Sequence, residues 1–360
     1  MKKTSRREFL VKTGLVSFGA MSGMKQLRAN GGRNIFAGSP AIIPSLSGRS
    51  KRDLVMEVLD LSKVPSYIPA GFFMHFGVRG DAAIKAHTDY FRATGMDFVK
   101  IQFDEQGFSR DKTIQKPEDW SKIPILTEKW FEPSLYLLRN LIRELKSEAL
   151  VIQTLYSPFQ MAKQAVPVDI LVKHVYQDAE SVIRGMENIT LSIMNFVHAA
   201  VRLGVDGFYT CTQGGETNRI ADRQLFNKTV KAYDMILYKN VSELTSFNIL
   251  HICDYEGTYE EFESRFRDYP GQVVNVPLEA DHKPLSLKLA SEIFRRPVMG
   301  GIDRLGVISS GSAEDARNAA IKVLKDAPDN FILGADCTVD SKTPVANLRA
   351  AIDAAHNFRK

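Results

Sequence analysis

Cysteine is nearly absent: the 360 residues contain three. A disulfide framework is thereby excluded in a chain of this length. Buried thiols, one incidental bridge or a metal site remain. Tryptophan is scarcer still, with two, and histidine occurs seven times. No apolar run approaches the roughly 18–20 residues that cross a bilayer, so no membrane span is expected. The first strand-to-helix turns carry no G-x-G-x-x-G, which removes the usual support for a dinucleotide fold. What is present is an ordinary globular mixture, 44% hydrophobic and 25% charged, enough for a large core.

The net charge of +5 misleads until it is located. Lys2, Lys3, Arg6, Arg7, Lys12, Lys25, Arg28 and Arg33 face Glu8 alone within residues 1–38, so the remainder is slightly acidic. The basic excess belongs to the leader and does not point to nucleic acid. That leader, SRREFLVKTGLVSFGAMSG, resembles a twin-arginine export signal; the alternative is a basic amphipathic helix. The first reading makes residues 1–38 a signal segment and 39–64 a Gly/Ser/Pro-rich linker and lead-in. It places the mature protein in the periplasm or cell envelope, exported folded.

From residue 65 to 360 short β-prone runs alternate with helical patterns. The strand candidates are Gly71–Val78, Phe98–Phe103, Leu150–Tyr156, Gly207–Thr212, Phe247–Cys253, Val273–Val276, Val298–Ile302 and Phe331–Ala335. Helical patterns cover Ala82–Thr94, Pro133–Lys146, Ala179–Leu203, Asp222–Leu244, Thr258–Phe266, Leu285–Phe294, Ala313–Leu324 and Val345–Phe358. Thr343 reads as a helix N-cap with Pro344 in the first turn, and Ser312 with Asp315 as a capping box. Such alternation makes a parallel sheet with helices outside. Eight units over about 300 residues fit a single-domain α/β protein, a (β/α)8 TIM barrel, better than a doubly wound open sheet.

In such a barrel chemistry sits at the carboxyl ends of the strands. The residues there are His75, Arg79 and Asp81; Asp104 and Glu105; Tyr156; Cys211, Gln213 and Glu216; His251 and Cys253; Asp303; Asp336 and Cys337. His251 and Cys253 are two apart on one strand and share a face. Cys337 follows the last strand and can lean toward them. One His and two Cys suit Zn²⁺ with an open fourth position, and thiolates argue against magnesium or calcium. Two other readings stay open: cysteine packed as a small hydrophobe, and a Cys253–Cys337 disulfide in an exported protein. Cys211 reads as core. Asp303 either positions substrate or caps its own loop; Glu216 either touches a ligand or is solvated. Trp120 and Trp130 lie in a long insertion, Gln106–Glu132, that is either a lid or a packed surface loop.

Three segments, HICDYEG, VMGGIDRLGVISSGSAEDA and FILGADCTVDSKTPVANLRAAIDAA, carry a family resemblance. Together with the element order, they make residues 65–358 similar to the uroporphyrinogen decarboxylase superfamily, which implies a (β/α)8 barrel. Its cobalamin-dependent methyltransferases bind zinc through H-x-C and a distant C-terminal cysteine, positions that His251, Cys253 and Cys337 match. The resemblance therefore implies zinc-activated alkyl transfer to a thiol, with a corrinoid supplied by a partner protein or by the substrate. Asp254 stands where those enzymes have glycine. The decarboxylase branch implies a different site: His75 and Arg79 match the arginine positions of its first loop, and Asp104 its aspartate. Ala335 replaces that branch's histidine.

The expected function is zinc-thiolate methyl transfer. His251, Cys253 and Cys337 hold the metal, Asp104, Arg79, His75 and Asp303 act on or orient the substrate, and Tyr156, Gln213 and Glu216 contact the ligand. The alternatives are a metal-independent decarboxylase of tetrapyrrole type using Asp104, Arg79 and His75, and a non-catalytic exported barrel binding a corrinoid or porphyrin.

Overall fold

A computed structural model describes residues 48–102, 108, 111–255 and 257–359. The signal-like leader, Asp104 and Glu105 lie outside these residues.

Seven parallel strands form one sheet: β1 (Phe98–Ile101), β2 (Leu150–Tyr156), β3 (Gly207–Thr212), β4 (Ile249–Ile252), β5 (Val273–Asn275), β8 (Val298–Ile302) and β9 (Phe331–Ala335), paired in that order. A two-stranded hairpin, β6 (Glu279–Ala280) and β7 (Lys283–Pro284), lies between β5 and β8 in the chain. The sheet is strongly curled. Phe98 in β1 and Phe247 just ahead of β4 have ring centroids 5.6 Å apart. Three strand steps in a flat sheet would separate them by about 14 Å.

The first expected strand, Gly71–Val78, is not one. Ala70 and Met74 make isolated bridges to Leu333 and Val339, and the Asp97 amide donates to the Ala70 carbonyl. Side chains take the acceptors that a continuous ladder would use: Tyr90 donates its hydroxyl to the Phe72 carbonyl at 3.0 Å, and Gln102 its amide to the Met74 carbonyl at 2.6 Å. Among the described residues the architecture is therefore a curled parallel sheet of seven strands, a half-barrel, with helices outside.

Alternation along each strand divides the core in two. One cluster lines the concave face: Phe98, Leu150, Ile152, Tyr209, Ile249, Val273, Met299 and Ile332 from the strands, with Phe73 and Phe247 beside them. The larger cluster fills the space between sheet and helices. The helix Lys51–Glu57 falls within the stretch read as lead-in. A Ser50–Asp53 capping box starts it, and Val55 and the following Val58 enter the concave cluster.

Two glycines turn long helices into strands. Gly95 (φ 76°) and Gly204 (φ 90°) end Gly80–Thr94 and Ala179–Leu203 in the left-handed conformation, which costs glycine no Cβ clash. An aspartate follows each by two residues. Asp97 is fully buried. It accepts from the Tyr67 hydroxyl, the Ala70 amide and His356 Nε2, all at 2.8 Å, with Lys51 at 3.4 Å. Asp206 accepts two hydrogen bonds from Arg52, at 2.9 and 2.7 Å, and one from the Val151 amide. The amino end of the sheet is thus fastened to the entry helix and to the last helix, Val345–Asn357. This leaves the opposite end free for chemistry.

The Ser312–Asp315 capping box forms as expected. Thr343 is not the N-cap: Pro344 occupies that position, and the Thr343 hydroxyl lies 2.8 Å from Ser309 Oγ. Two helices between β2 and Ala179–Leu203, Pro158–Ala165 and Val168–Gln177, were not foreseen. Trp120 is fully buried in a 3-10 turn, Pro117–Lys122, its indole donating to His174 Nδ1 at 3.0 Å. A Cβ at Gly185 would meet it at 2.9 Å, so this part of the insertion is packed down. Trp130 is exposed.

Candidate metal centre

The concave face continues upward from its hydrophobic floor. Tyr209 and Ile249 belong to the floor. Two residues on, Cys211 and His251 point the same way, and two further on come Gln213 and Cys253. Register sets Tyr156, Cys211, His251 and Asn275 side by side across β2 to β5. The Tyr209 ring stacks on the imidazole of His251 with centroids 5.0 Å apart, and its hydroxyl donates to Asn275 Oδ1. His251 is held by an aromatic platform that is itself tied down.

Cys211, His251 and Cys253 are buried and offer donor atoms that all lie within 4.8 Å of one another. Cys337 reaches in from the loop after β9. Its Sγ lies 3.4 Å from His251 Nε2 and 3.9 Å from Cys253 Sγ. Cys337 is half-buried, so the cluster meets solvent on its side. Gln213 donates its amide to Cys253 Sγ at 3.3 Å and accepts from Lys163 Nζ at 3.1 Å. His251 Nδ1 is buried without a hydrogen-bond partner among the described residues.

The two Cys337 separations are those of ligands around one metal ion. Two sulfurs about 2.3 Å from one tetrahedral ion stand about 3.8 Å apart, and a sulfur and an imidazole nitrogen about 3.6 Å. The donor chemistry, soft sulfur with imidazole, suits zinc. Without a cation the pocket favours neutral thiols. The neighbouring Cys211 thiol, and then burial, push the Cys253 thiol well above its ordinary value, against a downward pull from Cys337. The Cys253 thiol, and then burial, push Cys337 up, against His251. A bound cation stabilises the thiolate forms.

Charged groups frame Cys337. Asp336, the residue before it, is buried and accepts from the Arg304 amide at 2.7 Å. The Arg304 guanidinium pairs with the same carboxylate and lies 3.4 Å from Asp254. Burial pushes the Asp336 carboxyl up, and the Arg304 amide and guanidinium pull it back. Arg304 also lies over the exposed Tyr255 ring at 5.7 Å. The ends of β4, β8 and β9 are locked together by one side chain, in line with Asp254 standing in place of the glycine that the resemblance led one to expect.

Asp303 is exposed, and its Oδ1 accepts from the Leu305 amide at 2.8 Å, a contact within its own turn. Glu216 is fully buried and accepts from the Gly214 amide at 2.9 Å, with Arg219 at 3.4 Å; burial raises its pKa. It folds the turn after β3, where Gly214 (φ 98°) approaches Phe159 closely. Tyr156 is half-buried at the end of β2, in the row of Cys211. Gln213 touches a candidate ligand directly. His75 is half-buried and Arg79 exposed, at the N-terminus of Gly80–Thr94. Asp104 lies outside the described residues. Cys211, read from the sequence as core, stands inside the cluster. Its signal was available: Tyr209, Cys211 and Gln213 repeat the spacing of Ile249, His251 and Cys253.

The family described as Uroporphyrinogen decarboxylase (URO-D) matches residues 85–358. A methyltransferase from Methanosarcina mazei superposes with a TM-score of 0.69 at 14% identity, covering 85% of this chain and 98% of that one. A protein assigned as a vitamin-B12-independent methionine synthase from Listeria monocytogenes superposes with a TM-score of 0.50 at 12% identity, covering 78% and 86%. At such identities these likenesses concern the fold. No curated protein sequence matches the chain.

Proposed function

The chain belongs to the uroporphyrinogen decarboxylase (URO-D) family, and on that premise we propose that it is an alkyl-transfer enzyme that moves a methyl group to a thiol at a zinc site. The observation that carries this reading is the contact of Cys337 with both His251 and Cys253. Those three residues would hold the ion. When bound, zinc lowers the pKa of a substrate thiol, giving a thiolate nucleophile at neutral pH. In the transfer a sulfur–carbon bond forms as the donor–carbon bond breaks, the bonding pair staying with the donor.

The protein's own groups supply positioning. Tyr209 fixes the plane of His251. Gln213, anchored by Lys163, holds Cys253. Arg304 and Asp336 set the loop carrying Cys337. The hydrophobic floor excludes water below the site and strengthens these interactions. Substrate enters from the side of Cys337, and Tyr156, His75, Arg79 and Asp303 are assigned orienting roles, with Asp104 assigned one from the sequence alone. In the same reading residues 69–74 complete the barrel between β9 and β1, supported by their bonds to Leu333 and Asp97, and the leader directs export, with a corrinoid as methyl donor.

The test uses free methylcobalamin and a simple aliphatic thiol with zinc-loaded protein. Loss of the methyl–cobalt absorption, dependent on zinc and abolished in Cys253→Ala, supports the reading. Zinc-loaded protein that transfers no methyl group from methylcobalamin or from methylated thiols overturns it.

A further inference from the structure

We infer that Cys211 is a fourth protein ligand of the same metal, so that the resting site is filled by three sulfurs and one imidazole nitrogen. This rests on the metal reading above and goes beyond its three ligands. Cys211 is not an isolated buried thiol. It sits beside His251 in the β3–β4 register, and its sulfur lies within 4.8 Å of donor atoms of both His251 and Cys253, a set that does not itself take in Cys337. Cys211 and His251 stand on paired strands with Cys253 next after β4, whereas Cys337 comes from a loop and is half-exposed. The strand-borne donors are the better fixed part of the set. Four protein ligands complete a tetrahedral zinc site. A thiol substrate must then displace a protein sulfur and does not find a vacant position. The released cysteine would then take up the proton that the incoming thiol gives off. Cys337 is the ligand placed to yield, since it faces solvent.

The decisive experiment is X-ray absorption at the zinc edge on wild-type protein, with the Co²⁺-substituted protein followed by its sulfur-to-cobalt charge-transfer band. The expected result is three sulfurs and one nitrogen in the wild type. Cys211→Ser should show two sulfurs, a proportionally weaker band and zinc affinity lowered by about tenfold or more, at least what outer contacts to a metal ligand are worth. A wild-type site of two sulfurs and one nitrogen, with Cys211→Ser unchanged, overturns the inference and leaves the three-ligand reading standing. Wild-type protein that binds no zinc removes that reading as well. The sulfur count on wild-type protein decides the matter even if Cys211→Ser does not fold.

Discussion

The sulfur of Cys337 lies 3.4 Å from Nε2 of His251, although 86 residues separate them in the chain. The contact follows from two strands and one clamp. β4 aims the imidazole at the concave face, β9 delivers the loop, and Arg304 holds the loop's first residue, Asp336, by its amide and its guanidinium.

Arg304→Gln should loosen that loop without reaching the metal donors themselves. Loss of the guanidinium leaves a buried carboxylate short of its partner, at a cost of about 3 kcal/mol or more. Zinc should dissociate faster in a chelator competition, and Cys337 should react faster with an alkylating reagent in the metal-free protein. Unchanged rates in both assays would show that Cys337 is held without the clamp.

Asp97→Ala removes the acceptor of four groups at the amino end of the sheet. A loss of about 3–5 kcal/mol in urea unfolding is expected, as for other broken buried ion pairs. Burial works against the Asp97 charge, but His356, Lys51 and the Ala70 amide outweigh it and hold its pKa below the ordinary value. The carboxylate's contribution is therefore present above the unfolded pKa, near 4, and is lost as pH falls through the lower folded value. The gap between wild type and Asp97→Ala should narrow in acid. A constant gap from pH 7 to pH 3 contradicts the assignment.

Asp234 works in the opposite sense. Burial pushes its pKa up to about 7, against hydrogen bonds from the hydroxyls of Thr212 at 2.7 Å and Tyr269 at 3.2 Å. Between about pH 4 and pH 7 the folded state keeps a proton that the unfolded chain has released, so stability falls as pH rises through that window. In Asp234→Asn that loss should be absent. The difference between the two proteins should move in the variant's favour by on the order of a few kcal/mol from pH 4 to pH 8. Parallel unfolding curves at both pH values would count against a neutral Asp234.

Much of this was legible in the sequence, for physical reasons that also explain the gaps. Strand ends such as Thr212, Tyr156 and Ala335 were readable because a buried parallel strand is a continuous apolar run that stops at a polar residue. The pair His251 and Cys253 could be read from alternation alone. Segment 71–78 looks like a strand, but Tyr90 and Gln102 occupy its carbonyls, and no local pattern reveals that. Pro158–Ala165 and Val168–Gln177 were missed; a proline interrupts a helix interior but is tolerated at a helix start, which is where Pro158 and Pro167 stand. Cys211 was missed because its neighbours Thr210 and Thr212 make a β-prone run in which a cysteine passes for packing. Only the β3–β4 register sets it beside His251.

The most direct test of the metal centre is zinc content by mass spectrometry on purified wild type and on Cys253→Ala, each dialysed against a mild chelator. One equivalent in the wild type and none in the variant is the expected result. Wild-type protein that stays metal-free after incubation with zinc under reducing conditions would contradict it.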